Sequence, residues 1–260
     1  MTILLSALLA ALLAPSAPPP PPQVTVAAAA DLTFAFREVA AQFEKETGDR
    51  VNLTFGSSGS FFEQIENGAP YDLFFSADRN YPKKLETAGW VEPGSLYTYA
   101  TGKLVLWVPG DSQLDLGQGL RVLLDPRVRK IAIANPEHAP YGMAAMAALR
   151  RAGLDGKIRA KLVLGENISQ TAQFVLSRNA EIGILALSLA LAPTLKEQGR
   201  YVEVPASSYT ALEQAGVILK GSNHKDLARR FMEFLRKPET VDLMRRYGFT
   251  VPPASGTRTP

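Results

Sequence analysis

Val24-Thr25-Val26-Ala27-Ala28-Ala29-Ala30-Asp31-Leu32 joins a strand signal to a helix signal within nine residues. Val24 to Ala27 reads as a buried strand. From Leu32 onward the apolar residues Leu32, Phe36, Val39, Ala40 and Phe43 recur at helical spacing, which predicts one buried helix face. Asp31 stands where an N-cap belongs, because its carboxylate can accept from the free N–H groups of a first helical turn. The same alternation continues along the chain. Val51 to Phe55 reads as a strand, followed by Gly56-Ser57-Ser58-Gly59-Ser60 and a helix carrying Phe61, Phe62 and Ile65. Asp72 to Ser76, Leu104 to Val108, Lys130 to Ala134, Leu162 to Leu164, Ile182 to Leu187 and Val217 to Leu219 are further strands. Lys83 to Ala88 is a short helix, and Lys225 to Tyr247 reads as two helices broken at Pro238. Strands alternating with helices imply an α/β fold with mostly parallel sheets.

The chain of 260 residues is long enough for one large domain or two of about 100 residues each. The 28 basic and 25 acidic residues are dispersed, so no Lys/Arg cluster marks a nucleic-acid surface. Cysteine is absent, which excludes disulfides, thiolate metal sites, thiol nucleophiles and a lipidated cysteine. Two histidines, His138 and His224, are too few for most zinc sites. Residues 1–23 read as an export signal with a Pro-rich leader. Ile3 to Leu13 is apolar but too short to span a bilayer, and Pro18 to Pro22 follows. No basic residue precedes the apolar run, which suggests a true start codon upstream. No later segment reads as a membrane span, so the expected mature protein is soluble and lies outside the inner membrane.

Chemistry concentrates where strands give way to helices. Ala29-Ala30-Asp31, Ser57-Ser58-Gly59, Pro140-Tyr141-Gly142 and Asn167-Ile168-Ser169 are small or polar turns, each opening a helix and none containing Lys or Arg. First-turn N–H groups lack intrahelical partners, and the helix dipole favours negative charge there. Converging ends of this kind make an anion site from neutral donors. Enzyme motifs do not match. The Ser57/Ser58 turn would need Gly in place of Ser60 to be a nucleophile elbow. Gly102-Lys103 is followed by Leu104, not the Ser or Thr of a P-loop. His138, between Pro136 and Pro140, reads as a loop packing residue. The weaker alternatives are a binder of an organic or metal-chelate solute and a serine-dependent hydrolase or transferase using the Ser57/Ser58 turn.

Five segments carry a family resemblance. They are Val24 to Leu32, Phe55 to Ser60, Gly68-Ala69-Pro70-Tyr71-Asp72-Leu73-Phe74-Phe75-Ser76-Ala77-Asp78, Asn135-Pro136-Glu137-His138-Ala139-Pro140-Tyr141-Gly142 and Tyr247-Gly248-Phe249. In this order they resemble the periplasmic molybdate-binding proteins, from about Val24 to Val251. The resemblance implies a two-lobed type II binding fold without catalytic activity or cofactor. The lobes would be residues 24–104 plus 209–260, and 105–208, with the ligand between them. It further implies a monomer that takes up molybdate or tungstate, with no nucleic-acid partner, and presents the anion to the transmembrane permease of an ABC transporter. The implied donors are Asp31, Ser58, Tyr141 and Ile168, the last two through backbone N–H and Ser58 through both hydroxyl and N–H. Ala30 and Ser57 are additional candidates. Two positions depart from the family: Asp31 stands where Ser or Asn is common, and Ala186 where many members place a Tyr. Asp31 is expected to cap its helix and offer its backbone N–H. A carboxylate facing the ligand would instead have to hold a proton or coordinate the metal centre.

Overall fold

The computed structural model describes residues 21–252, so the export-signal reading of residues 1–23 falls outside the described residues up to residue 20. The chain runs β1 (Gln23–Ala29), α1 (Thr33–Thr47), β2 (Arg50–Gly56), α2 (Ser58–Glu66), β3 (Leu73–Ser76), α3 (Asn80–Thr87) and β4 (Tyr97–Gly102). It continues with β5 (Leu104–Pro109), β6 (Ile131–Ala134), α4 (Pro140–Arg151), α5 (Asp155–Ile158), β7 (Leu162–Gly165), α6 (Ile168–Leu176) and β8 (Ile182–Ala186). Then come α7 (Leu187–Ala190), α8 (Pro193–Gln198), β9 (Gly199–Glu203), β10 (Leu212–Ile218), α9 (Lys225–Phe234) and α10 (Pro238–Arg246).

These strands form two five-stranded sheets, β2-β1-β3-β10-β4 and β7-β6-β8-β5-β9, one in each lobe. Parallel pairing is confined to β1, β2 and β3 in the first lobe and to β6, β7 and β8 in the second. The other pairs are antiparallel, so the sheets are mixed rather than mostly parallel. The crossings explain the difference. β4 leaves the first lobe and β10 returns to it, and two chains passing in opposite directions pair antiparallel. β5 and β9 do the same in the second lobe. Only Lys103 separates β4 from β5, and residues 204–211 separate β9 from β10. The Tyr209 hydroxyl accepts from the Leu104 N–H at 3.1 Å, tying the two crossings together.

The alanine-rich β1 lies at the centre of a two-sided core. Ala28 faces a cluster with Phe36, Phe75 and Phe231, while Ala27 faces Phe61, Ile65, Phe74 and Val217. Successive strand residues point to opposite faces, so Phe74 and Phe75 feed different helical layers. Phe75 meets Phe36 edge to face at 4.9 Å, and Phe43 meets Phe231 at 5.3 Å. Offset or perpendicular ring pairs of this kind add about 0.5–1.5 kcal/mol beyond area burial. The expected apolar face of α1 is the buried one: Phe36, Val39, Ala40 and Phe43. Its start differs, because a 3-10 turn, Ala30–Leu32, precedes Thr33. Pro238 occupies the first turn of α10, where its missing N–H costs nothing. Among the described residues no helix is long and apolar enough to cross a membrane.

Candidate functional site

All four turns singled out in the sequence line one cleft. Ala29, Ala30, Asp31, Ser57, Ser58 and Ala77 form its first-lobe wall, and Ala139, Pro140, Tyr141, Asn167 and Ile168 its second-lobe wall. About 200 Å³ of space lies between the two walls, part of it open to solvent, so the cleft itself is narrow. Each wall stands at the C-terminal ends of parallel strands, where the strand order of an α/β sheet leaves a crevice. No Lys, Arg or His lines it, and no group of three His, Asp or Glu among the described residues could hold a metal ion.

The helix starts are built so that particular N–H groups are left over. Ser57 caps α2, its hydroxyl accepting from the Ser60 N–H at 3.3 Å. The Gly59 N–H goes across the cleft to the His138 carbonyl at 2.9 Å. That leaves the Ser58 N–H, at the first helical position, without an intrahelical acceptor. Ser58 is fully buried, and its Oγ accepts from the Ala77 N–H at 3.0 Å. The hydroxyl is thereby oriented and its own proton remains to be donated. In α6 the Asn167 Oδ1 accepts from the N–H groups of Ser169 and Gln170, both at 3.0 Å, which spares that of Ile168. In α4 the first helical residue is Pro140, so Tyr141 carries the first N–H. Helix dipoles add partial positive charge at these ends, an arrangement that attracts an anion without cations.

Asp31 does not cap a helix. The N-cap of its turn is Ala29, and no side chain caps the turn or α1. The carboxylate is buried, and its Oδ2 accepts from Tyr141 Oη at 3.0 Å and from Gln214 Nε2 at 2.6 Å. The capping expectation fails because two partners distant in sequence outcompete the local N–H groups. Tyr99 Oη extends the network by donating to Gln214 Oε1 at 2.9 Å. Asp31 Oδ1 has no partner among the described residues. Burial pushes the carboxyl from 3.8 up to about 6, opposed by the hydrogen bonds from Gln214 and Tyr141. Burial likewise pushes the Tyr141 and Tyr99 phenols well above their usual range, with the Asp31 charge adding to it. Both phenols are therefore neutral donors.

The lobes are shut on one another at this cleft. Ser169 Oγ donates to the Ala30 carbonyl at 2.9 Å, and Ser188 Oγ to the Asp31 carbonyl at 2.7 Å. At the rim, Ser57 Oγ lies 2.8 Å from His138 Nδ1, and Glu166 Oε2 lies 3.6 Å from His138 Nε2. Ser60 Oγ reaches Glu166 Oε1 at 3.4 Å. His138 is thus more than loop packing. The set has the residue types of a hydrolytic triad, but Ser57 Oγ is occupied as a helix cap and by Ser60 Oγ at 2.8 Å. It works as a clasp joining α2 to the turns before α4 and α6.

The sequence pattern of the bacterial extracellular solute-binding proteins matches residues 24–250. The chain belongs to this family. As a solute-binding protein it is 40% identical over 223 residues to the molybdate-binding protein ModA of Azotobacter vinelandii, covering 86% of this chain and 88% of that one. It is 38% identical to ModA of Rhodobacter capsulatus, covering 86% of both. The solved periplasmic molybdate-binding protein of Azotobacter vinelandii superposes with a TM-score of 0.84 at 37% identity, covering 88% of this chain and 100% of that one. Several residues that line or brace the cleft of this solute-binding protein escaped sequence reasoning. Gln214 left one trace, a lone amide in the otherwise apolar half of β10. Ala77 contributes through its backbone, and Ser169 and Ser188 through bonds that exist only once the lobes meet. Ala186 is fully buried at the end of β8.

Proposed function

We propose that this solute-binding protein captures molybdate, and tungstate as a near isostere, in the periplasm and delivers it to the transmembrane permease of an ABC transporter. The observation that carries the reading is the cleft itself: a small cage of neutral N–H and O–H donors at helix starts, with no cation. The donors are the hydroxyl and N–H of Ser58, the N–H groups of Tyr141 and Ile168, and the N–H of Asp31 in its 3-10 turn. Ala30 and Ser57 complete the wall. An unprotonated tetrahedral oxyanion accepts from every side and matches such a set. A protonated one loses about 1–3 kcal/mol for each O–H that meets a donor. So narrow a cleft suits an inorganic anion better than an organic solute, whose sites are much larger. The protein acts as a monomer, its lobes (24–104 plus 209–260, and 105–208) moving about the two crossings.

Thermal unfolding tests this directly. A ligand present at about 100 times its Kd stabilises the folded state by about 2.7 kcal/mol. Molybdate and tungstate are expected to raise the melting temperature by several degrees, and sulfate and phosphate at equal concentration by much less. Equal shifts from all four anions contradict the selectivity, and no shift from any contradicts the function.

A further inference from the structure

The cleft wall contains one group that conflicts with a dianion: the carboxyl of Asp31. It is buried, it lines the cleft, and no cationic side chain is paired with it. The groups facing it are the Tyr141 phenol from α4 and the Gln214 amide from β10, with the Tyr99 phenol behind Gln214. Ser188, from α7, bonds only the Asp31 carbonyl oxygen. Every side-chain partner is neutral, and both hydrogen bonds converge on Oδ2. Oδ1 is left without a partner among the described residues.

We infer that the cleft closes on its oxyanion together with one proton from solvent, carried by Asp31 Oδ1, so that Asp31 becomes one more neutral donor in the cage. The inference rests on the oxyanion reading. A negative charge beside a dianion in a water-poor cleft is repulsive, and protonation removes it at the smallest structural change. The sign follows from the lobes. Tyr141 comes from the second lobe, so opening exposes Asp31 to water and returns its carboxyl toward the usual range. Closure buries the group and raises it to about 6, and the adjacent dianion raises it further. The closed, liganded state therefore holds a proton that the open state has released at neutral pH. Affinity falls as pH rises from the ordinary carboxyl range of the open form, near 3.8, through the raised value of the closed form, by at most about tenfold per pH unit.

Calorimetric titration of the protein with molybdate, in two buffers of different protonation enthalpy at about pH 7, counts the protons taken up. Net proton uptake, of at most one per anion and rising as the titration is moved from about pH 7 toward pH 6, is expected for the natural protein. Asp31→Asn keeps the shape and supplies the donor permanently, so it is expected to take up none and to bind with an affinity flat from about pH 6 to pH 8. Absence of uptake by the natural protein overturns the inference without needing any variant. Uptake retained in Asp31→Asn overturns it as well, and would place the proton on another group, such as His138 in the clasp. No binding at any pH overturns the oxyanion reading and this inference with it.

Discussion

Gly59→Ala is expected to weaken molybdate binding by roughly 10- to 100-fold while leaving the unliganded protein at least as stable. Gly59 lies in the first turn of α2 and packs against the other lobe. A Cβ added there would stand 2.7 Å from the His138 carbonyl oxygen and 2.8 Å from the His138 Cα and Cβ. The oxygen and Cα are backbone, so no rotamer change relieves the overlap. One lobe must retreat from the other. Overpacking of this kind costs about 1–3 kcal/mol, and here the cost falls only on the closed state. The backbone of Gly59 is ordinary for an L-residue, and Ala is favoured over Gly in a helix by about 1 kcal/mol. The open form should therefore tolerate the change. Titration calorimetry gives the affinity, and solution scattering with saturating molybdate gives the closure. Unchanged affinity with normal compaction would show that the contact between α2 and the His138 turn is not part of the liganded state.

That contact also marks the limit of what the sequence discloses. The strand–turn–helix junctions were legible because each is local: Ser57 and Asn167 are good caps, and Pro140 suits a first helical turn. Their composition, small and without cations, pointed to an anion. The pairing of the sheets was less legible. β4 and β9 lie at sheet edges and are partly exposed, so Tyr97 to Gly102 and Gly199 to Glu203 carry a weak apolar pattern. Asp31 was read wrongly for a more general reason. An acidic residue beside a helix start has an ordinary local use, and its actual partners are 110 and 183 positions away. Side chains that meet across a cleft leave no periodicity. Gln214 within β10 was the one visible sign that a polar group had to be satisfied there.

Ser58→Ala is the sharper probe of the cage. Ser58 is expected to give two bonds to the oxyanion, one from its N–H and one from its hydroxyl, and the substitution removes the second alone. A hydrogen bond to a charged acceptor contributes about 1.5–3 kcal/mol, so affinity should drop by roughly one to two decades. The fold should persist, because Ser57 and not Ser58 caps α2. One loss within the protein accompanies the change: the buried Ala77 N–H gives up its acceptor, Ser58 Oγ, 3.0 Å away. An unsatisfied buried N–H costs about 1–3 kcal/mol, and that cost is borne with or without ligand. The two effects therefore separate in the measurement. A lower melting temperature without ligand reports the Ala77 N–H, and a smaller molybdate-induced rise reports the missing donor to the anion. Ser58→Cys, which restores only a weak donor, should fall between the two. A fully retained affinity in Ser58→Ala, alongside a lowered melting temperature, would assign Ser58 to holding β3 against α2 and leave the anion to the backbone donors alone.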